Sequence, residues 1–341
     1  MKYLRRVLFS LFVSTGLLGG AELALRLVVP RDTLLFSWEK SDAVLQAQTG
    51  TSPRDVRLLP KPNSSRSDRD GEHLWSTQIN AQGFRGRTPT VPSAPDRYRV
   101  LAVGDSWVYG ISTSQGHTFA ERLEAELGEV DGRRAEVINA GVPSFSAFDM
   151  LVRYHDAMAW LKVDALLVGA PHNEGIQSAR AALRKRWYAG IEAGPQSELF
   201  LYLGLRRMLA WARTPRYAPG LDATAASAAM ADLRALIEDG TKRGLAVVFV
   251  AWGNRWENGG VTRGDLSQWR GLGAPLAAVG LSQRSCFGFS DEAHPSEAGA
   301  YSAAVHVASV LRSGQSDSTW VDRPSCDDNG AVGPAKTLPS Q

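Results

Sequence analysis

Apolar and polar positions alternate through the middle of the chain in a way that predicts strands and helices in turn. Four short apolar runs have the length and composition of buried strands, at 97–103, 135–140, 164–170 and 245–252. In other stretches apolar residues recur three to four positions apart, which predicts helices at 117–130, 146–161, 229–244 and 295–313. This alternation favours an α/β fold, a three-layer α/β/α sandwich with a mainly parallel sheet covered on both faces.

The segments around this core have a different character. Residues 31–95 are rich in Pro, Ser, Asp and Arg and are predicted to be a lead-in segment. A mostly helical insertion at about 175–228 contains an amphipathic stretch at 197–211. That stretch would pack on the core, cover the site as a cap, or lie against a partner or a membrane. Residues 313–341 are polar and aperiodic, which predicts a disordered tail and leaves 96–312 as the folded domain.

Residues 1–30 have the pattern of a targeting segment. Lys2, Arg5 and Arg6 precede an apolar run from Val7 to Ala21. This run is shorter than the about 20 residues of a full membrane span, and Arg26 would extend it by snorkelling. We favour an uncleaved signal anchor over a cleaved signal peptide, with a buried core helix as the third alternative. Either targeting alternative predicts an extracytoplasmic protein, with the membrane as a partner of an uncleaved anchor.

Charge and cysteine content argue against several kinds of partner and ligand. The formal net charge is +3, and Lys and Arg are scattered, which argues against nucleic acid as a partner. The two cysteines, Cys286 and Cys326, are far apart and make no zinc pattern. An oxidising compartment would allow them to pair, and the sequence leaves that open. We predict no metal and no organic cofactor.

Candidate catalytic and binding residues follow the predicted strands where each strand ends. Ligands of open parallel sheets bind outside the carboxyl ends of the strands, so these residues are expected to share one edge. After the four strands, in order, come Ser106, Gly141, Asn173 and Trp252, and ahead of the last helix come Asp291 and His294.

Three of these residues would form a catalytic triad. A serine hydroxyl becomes a nucleophile when a base takes its proton, and His294 is the candidate base for Ser106. Asp291, three residues earlier, would accept a hydrogen bond from the imidazole and fix its tautomer. The backbone N–H groups of Ser106 and Gly141 and the side-chain amide of Asn173 are candidate oxyanion donors. Asp105 is predicted to brace the turn before Ser106 through local hydrogen bonds.

Four sequence blocks appear in a fixed order: "GDSWVYG", "NAGVPS", "HNE" and "DEAHPSEAG". Together they resemble the SGNH hydrolases, also called GDSL esterases, whose name residues would be Ser106, Gly141, Asn173 and His294. The resemblance covers about 80–311, and "NAQGFRG" followed by "YRVLAVGDSWVYG" looks like the membrane-anchored, envelope-facing subgroup. It implies a flavodoxin-like sheet, and hydrolysis or transfer of acyl groups, often acetyl groups on sugars, without a cofactor.

The chain departs from the family pattern in two blocks. Pro171-His172-Asn173-Glu174 stands where Gly-x-Asn-Asp is usual, so the turn that carries Asn173 must differ. Trp107 replaces the commoner leucine or phenylalanine after the serine. Trp107 and Trp252 would stack on the sugar rings of a glycan substrate, or would pack in the core.

The sequence therefore predicts a serine esterase or O-acyltransferase that acts on ester groups, with O-acetyl groups of an extracytoplasmic glycan favoured. A lipase or lysophospholipase at the membrane surface is one alternative, and acyl-chain preference would separate it from an acetyl esterase. A catalytically inactive glycan-binding or assembly protein on the same scaffold is another. Such a protein would show no covalent chemistry at Ser106.

Overall fold

The computed structural model describes the α/β core and parts of the segments around it. The described residues are 2–29, 45–48, 57–70, 73–111, 113–143, 145–170, 199–213, 223–252, 256–257, 260–261, 266–280 and 294–322. Cys286 and Cys326, whose pairing the sequence leaves open, lie outside these ranges.

Strands and helices alternate along the described core. The strands are β1 (Leu45–Gln48), β2 (Arg57–Pro60), β3 (Ser64–Asp70), β4 (His73–Ile79), β5 (Arg97–Val103), β6 (Glu129–Val130), β7 (Arg133–Asn139), β8 (Ala165–Gly169), β9 (Ala246–Trp252), β10 (Trp256–Glu257), β11 (Gly260–Val261), β12 (Leu276–Gly280) and β13 (Val321–Asp322). The helices are α1 (Lys2–Val28), α2 (Ser106–Tyr109), α3 (Phe119–Leu127), α4 (Ala147–Met158), α5 (Phe200–Arg213), α6 (Ala223–Lys242), α7 (Ser267–Arg270) and α8 (Glu297–Ser313).

The central sheet of the described structure has the strand order β13-β12-β9-β8-β5-β7-β6. Its neighbouring strands are parallel except for β6, which pairs antiparallel with β7. Counted along the chain, its five longer strands have the flavodoxin-like order 2-1-3-4-5. Helix α3 packs with α8 and α4 packs with α6, which covers the two faces of the sheet. The predicted three-layer α/β/α sandwich is confirmed.

A buried ion pair fixes the register of the first two central strands. Arg99 of β5 lies opposite Glu136 of β7, and its Nε and Nη2 atoms are 2.7 and 2.6 Å from Glu136 Oε2. Both side chains are buried, so each charge needs the other to compensate for lost solvation. A shift of one residue would separate them and would turn the apolar side chains of the strand to the wrong face. The pair thus helps to bring the carboxyl ends of β5 and β7 to the same edge of the sheet.

The lead-in segment is more regular than the sequence predicted. Strands β3 and β4 form an antiparallel hairpin, and a closed turn follows at 80–87. Asn80 holds this turn, because its side chain accepts from Phe84 N at 3.0 Å and donates to Arg87 O at 2.8 Å. Arg85 then pairs with both Ile79 and Asn139 through isolated β-bridges. The lead-in therefore joins the central sheet next to the end of β7.

The predicted tail also differs from the structure at its start. Helix α8 ends at Ser313 with Gly314 as its C-cap, but the chain then folds back along the sheet edge and adds β13 to β12. Asp317 N donates to Leu276 O at 2.9 Å, and its carboxylate accepts from Ala278 N at 2.7 Å. The prediction of a disordered tail is thus wrong for 314–322, where backbone pairing outweighs the polar composition. Residues 323–341 lie outside the described structure.

The N-terminal segment forms the long helix α1. Among the helices that the structure describes, none has both the length and the apolarity needed to cross a membrane. Helix α5, which lies within the predicted insertion, packs against α1.

Glu22 of α1 caps the first turn of α5. Its two carboxylate oxygens accept from Phe200 N at 3.0 Å and from Leu201 N at 2.9 Å. These are N–H groups that a helix cannot satisfy internally. The Leu201 bond is the main cause that lowers the pKa of Glu22, with further lowering by Phe200 and Arg26 against the opposite effect of burial. The contact is therefore formed at neutral pH and is lost as the carboxylate is protonated at acidic pH.

We expect Glu22→Ala to loosen the start of α5 while the central sheet stays intact. Hydrogen exchange at the Phe200 and Leu201 amides should become faster at neutral pH, because these groups lose their acceptor. The matched control is Glu238→Ala, which removes an exposed carboxylate that forms an ion pair with Lys242 four residues away. Unchanged exchange at both amides in Glu22→Ala would show that the cap is not formed in solution.

Candidate active site

Ser106 lies at the carboxyl end of β5, where the strand order of the sheet reverses. β5 has β7 on one side and β8 on the other, and such a switch point opens a crevice in α/β sheets. Asp105 is the N-cap of the short helix α2, and its buried carboxylate accepts from Trp107 N at 3.0 Å. The predicted brace is confirmed. The cap turns the chain sharply after the strand, so that Ser106 is the first residue of the helix.

His294 meets Ser106 across the crevice. The distance from His294 Nε2 to Ser106 Oγ is 2.8 Å, although the two residues are 188 positions apart. Ser296 is the N-cap of α8 and its side chain accepts from Gly299 N, so the helix begins two residues later than predicted from Pro295. His294 is thus held just ahead of the helix, as expected for a residue at the helix entrance.

The end of α2 is held by two side chains that sequence reasoning missed. Asn139, the last residue of β7, donates from Nδ2 to Val108 O at 2.9 Å and to Tyr109 O at 3.2 Å. Arg85 donates to the carbonyls of Tyr109 and Gly110. The only sequence signal was their position inside the quoted blocks "NAGVPS" and "NAQGFRG", because neither residue type by itself indicates this role.

Gly141 follows β7 beside α2, but its environment differs from the expected one. Its N–H donates to Asn139 Oδ1 at 3.1 Å, so a developing oxyanion would have to share or replace that bond. A Cβ at this position would lie 2.4 Å from Tyr109 N and 2.9 Å from Val108 C. The glycine is needed for the close approach of α2, and not only for the approach of a substrate oxygen.

The two predicted substrate-stacking tryptophans belong to the core. Trp107 is 4% exposed and Trp252 is 2% exposed. Their ring centroids are 5.5 Å apart, and Phe119 packs edge-on against Trp252 at 5.2 Å. Neither ring presents a free face for stacking on a sugar, so the structure contradicts that part of the prediction. Core packing, the alternative weighed from the sequence, is what the structure shows.

Two predicted site residues cannot be compared with the geometry. Asp291 and Asn173 both lie outside the described residues, as does His172. Their roles as carboxylate partner and oxyanion donor stay predictions. In the part of the chain that the structure describes, no group of three His, Cys, Asp or Glu side chains could hold a metal ion.

The described geometry combines three features on one edge of the sheet. A serine follows the first central strand, a histidine ahead of the last helix contacts that serine, and the strand order reverses at that first strand. This arrangement agrees with what the resemblance to SGNH hydrolases implies for the first and last of the four blocks. Their residues Ser106 and His294 meet in space.

Three solved structures illustrate what this chain is similar to. One is a lipolytic protein of the G-D-S-L family from Desulfitobacterium hafniense DCB-2, and it is 11% identical to this chain. The alignment has a TM-score of 0.36 and covers 62% of this chain and 98% of that one. The SGNH-hydrolase family esterase AlinE4 is 18% identical, with a TM-score of 0.30 over 48% and 63%. A two-domain esterase active on acetylated mannans is 13% identical, with a TM-score of 0.38 over 65% and 50%.

The chain thus spans about half the length of the two-domain mannan esterase. No family model matches the sequence, and no curated protein matches it either. The activity is accordingly inferred from the site itself.

Proposed function

We propose that this chain is a serine esterase that cleaves carboxylic esters through a covalent acyl-enzyme at Ser106. The observation that carries the proposal is the 2.8 Å contact between Ser106 Oγ and His294 Nε2. A hydroxyl at that distance from an imidazole can transfer its proton as it attacks a carbonyl carbon. Ser106 is 8% exposed, which limits water around the reacting atoms.

The reaction divides into two steps. Ser106 Oγ bonds to the ester carbonyl carbon while His294 Nε2 takes the hydroxyl proton, and the tetrahedral intermediate expels the alcohol, which receives that proton. Water then attacks the acyl-enzyme with His294 again as base, which releases the acid and restores Ser106. Asp291 would orient the imidazole, and the Ser106 N–H and the Asn173 side chain would donate to the oxyanion. An acceptor hydroxyl in place of water would give O-acyl transfer.

For the acyl group, we propose acetyl esters of a glycan, on the sequence resemblance alone. The burial of Trp107 and Trp252 removes the stacking argument for sugar rings. Glycan recognition would therefore depend on other residues of the site.

The test is covalent labelling of the full-length chain with a fluorophosphonate. We expect one adduct in the intact mass, which peptide mapping assigns to the peptide with Ser106. The same preparation is then assayed on p-nitrophenyl esters from acetyl to long acyl chains, and on acetylated and deacetylated polysaccharide. A folded protein with no adduct and no ester turnover would exclude an activated serine and would favour a binding role.

A second candidate, a lipase at a membrane surface, is supported by exposed apolar side chains outside the site. At α5, three apolar side chains are each more than half exposed: Leu199, Leu205 and Met208. On α1, the exposed fraction is larger still for the side chains of Phe9 and Phe12. Such side chains are suited to contact with lipid. Faster turnover of long-chain esters than of acetyl esters, increased by anionic phospholipid vesicles, would favour this candidate.

A further inference from the structure

A buried cation beside the active site takes no part in the chemistry proposed above. Arg85 lies in the turn after β4, and its side chain is only 3% exposed. Its Nη1 donates to Tyr109 O at 3.0 Å and Gly110 O at 2.5 Å, and its Nη2 to Ser76 O at 3.0 Å and Thr113 O at 2.5 Å. Burial of a charge is costly unless polar groups replace the lost water, and here four carbonyl groups do so. An arrangement this specific indicates a role for the side chain.

The carbonyl groups at the end of α2 need donors from outside the helix. A helix leaves its last four C=O groups without internal partners, and α2 has only four residues. Ser106 O accepts from Gly110 N and Ile111 N, so the serine is bonded directly to the end of its own helix. Arg85 then holds that end. Its fixed, planar set of donors suits several carbonyls at once, which a single ammonium group would not.

Arg85 remains a cation in this position. Burial lowers the pKa of its guanidinium, and the charges of Tyr109, Glu121 and Glu297 oppose that effect. Arginine stays protonated in proteins. The Arg85 side chain also lies over the Tyr109 ring, with Cζ 5.0 Å from the ring centroid. The ring face adds to the stabilisation of the charge.

The Arg85 guanidinium also binds the loop that contacts α8, the helix that begins three residues after His294. Arg85 Nη2 bonds to Thr113 O, and the next residue, Ser114, donates its N–H to Glu297 Oε1 at 3.0 Å. Glu297 is the first residue of α8 and follows His294 by three positions. Arg85 is therefore bonded to the helix of the serine and, through one loop, to the start of the helix behind the histidine.

We propose that Arg85 is a positioning residue that sets the spacing between Ser106 Oγ and His294 Nε2. It acts through the end of α2 and through Thr113 and Ser114, and it touches neither substrate nor the reacting atoms. This inference rests on the proposed function, because the spacing matters for catalysis only if Ser106 is the nucleophile. A displacement of about 1 Å between reacting groups can lower a rate by about 10²-fold.

The test compares Arg85→Met and Arg85→Lys with wild type in the full-length chain. Arg153→Met is the matched control, because Arg153 is a second arginine that binds the lead-in turn, at Gly83 O and over the Phe84 ring. We expect Arg85→Met to lower fluorophosphonate labelling per folded molecule by about 10- to 100-fold. kcat for an ester should fall with KM nearly unchanged, and Arg85→Lys should recover part of the loss. A purely structural role would lower the melting temperature of Arg85→Met and leave its labelling rate per folded molecule within about twofold of wild type.

A spectroscopic measurement separates this inference from the proposed function. The ¹⁵N signals of the His294 ring report its hydrogen bond to Ser106 and require no activity. In Arg85→Met they should move toward those of Ser106→Ala, and in Arg153→Met they should stay at the wild-type position. Wild-type ring signals in Arg85→Met would overturn the positioning role, whether or not wild type is labelled. A wild type that is not labelled would overturn the esterase instead.

Arg85→Met can also fail to fold, and then two other variants decide the question. Glu297→Ala removes the acceptor of Ser114 N, and Arg85→Lys keeps the charge but loses the planar donors. Both should shift the His294 ring signals and slow labelling. Wild-type values for both variants would contradict the proposed coupling between Ser114 and α8.

Discussion

Replacement of His294 by glutamine is expected to slow fluorophosphonate labelling of Ser106 by about 10²- to 10⁴-fold. Glutamine can still form a hydrogen bond with the serine hydroxyl, but it cannot take up the proton as Oγ attacks. In the structure the imidazole Nε2 is the atom that contacts Oγ, at 2.8 Å. The variant therefore removes the base and preserves most of the size and polarity at that position. The measurement is the second-order labelling rate, by intact mass, on protein shown to be folded by circular dichroism.

Two further variants check the assignment of His294. His155→Gln is the control, since His155 is exposed on α4 and should label like wild type. Ser106→Ala should give no adduct at all. A folded His294→Gln that labels at the wild-type rate would falsify the assignment of His294 as the base.

The parts of this fold that could be predicted are those fixed by local pattern. β5 occupies the predicted range 97–103, because a run of buried apolar residues ends in a Gly-Asp-Ser turn. Ser146 caps α4 as expected, with the reciprocal hydrogen bonds of a capping box to Asp149. β12 was missed, since its sequence "LAAVG" has few of the β-branched and aromatic residues that mark strands. It forms a strand because β9 and β13 lie on both sides of it.

The candidate site, too, has residues that could be predicted from the sequence and residues that could not. Ser106 and His294 could be predicted, because each stands at a strand or helix boundary inside a family block. The positions of the two tryptophans could not, since an aromatic residue at the end of a strand fits core packing and ligand stacking equally well. The roles of Arg85 and Asn139 could not be predicted either, because they depend on contacts with α2. That helix is distant from Arg85 in sequence. It follows β5, whereas Asn139 is the last residue of β7. Sequence patterns report periodicity and turns, and they do not report which carbonyls a buried donor will reach.

Gly141→Ala is expected to destabilise the protein by about 1–3 kcal/mol or more, as overpacking does in other cores. The added Cβ would lie 2.4 Å from Tyr109 N, 2.9 Å from Val108 C and 3.0 Å from Tyr109 Cα. These are backbone atoms of α2, which cannot rotate away as a side chain can. Tyr109 N also donates to Asp105 O at 2.9 Å, so its displacement would strain the turn that carries Ser106. Urea denaturation of the variant and wild type measures the loss.

The control for this substitution is Gly271→Ala, which adds the same methyl group in open space. Gly271 has a φ of −74°, and a Cβ there would meet nothing within 4 Å. Its free energy of unfolding should stay within about 0.5 kcal/mol of wild type. The pair of variants also distinguishes two reasons for a glycine at 141. If the only requirement were room for a substrate oxygen, Gly141→Ala would keep wild-type stability and lose only turnover. The contact with α2 predicts that stability and labelling of Ser106 fall together, because the methyl group pushes on the helix that begins at the nucleophile.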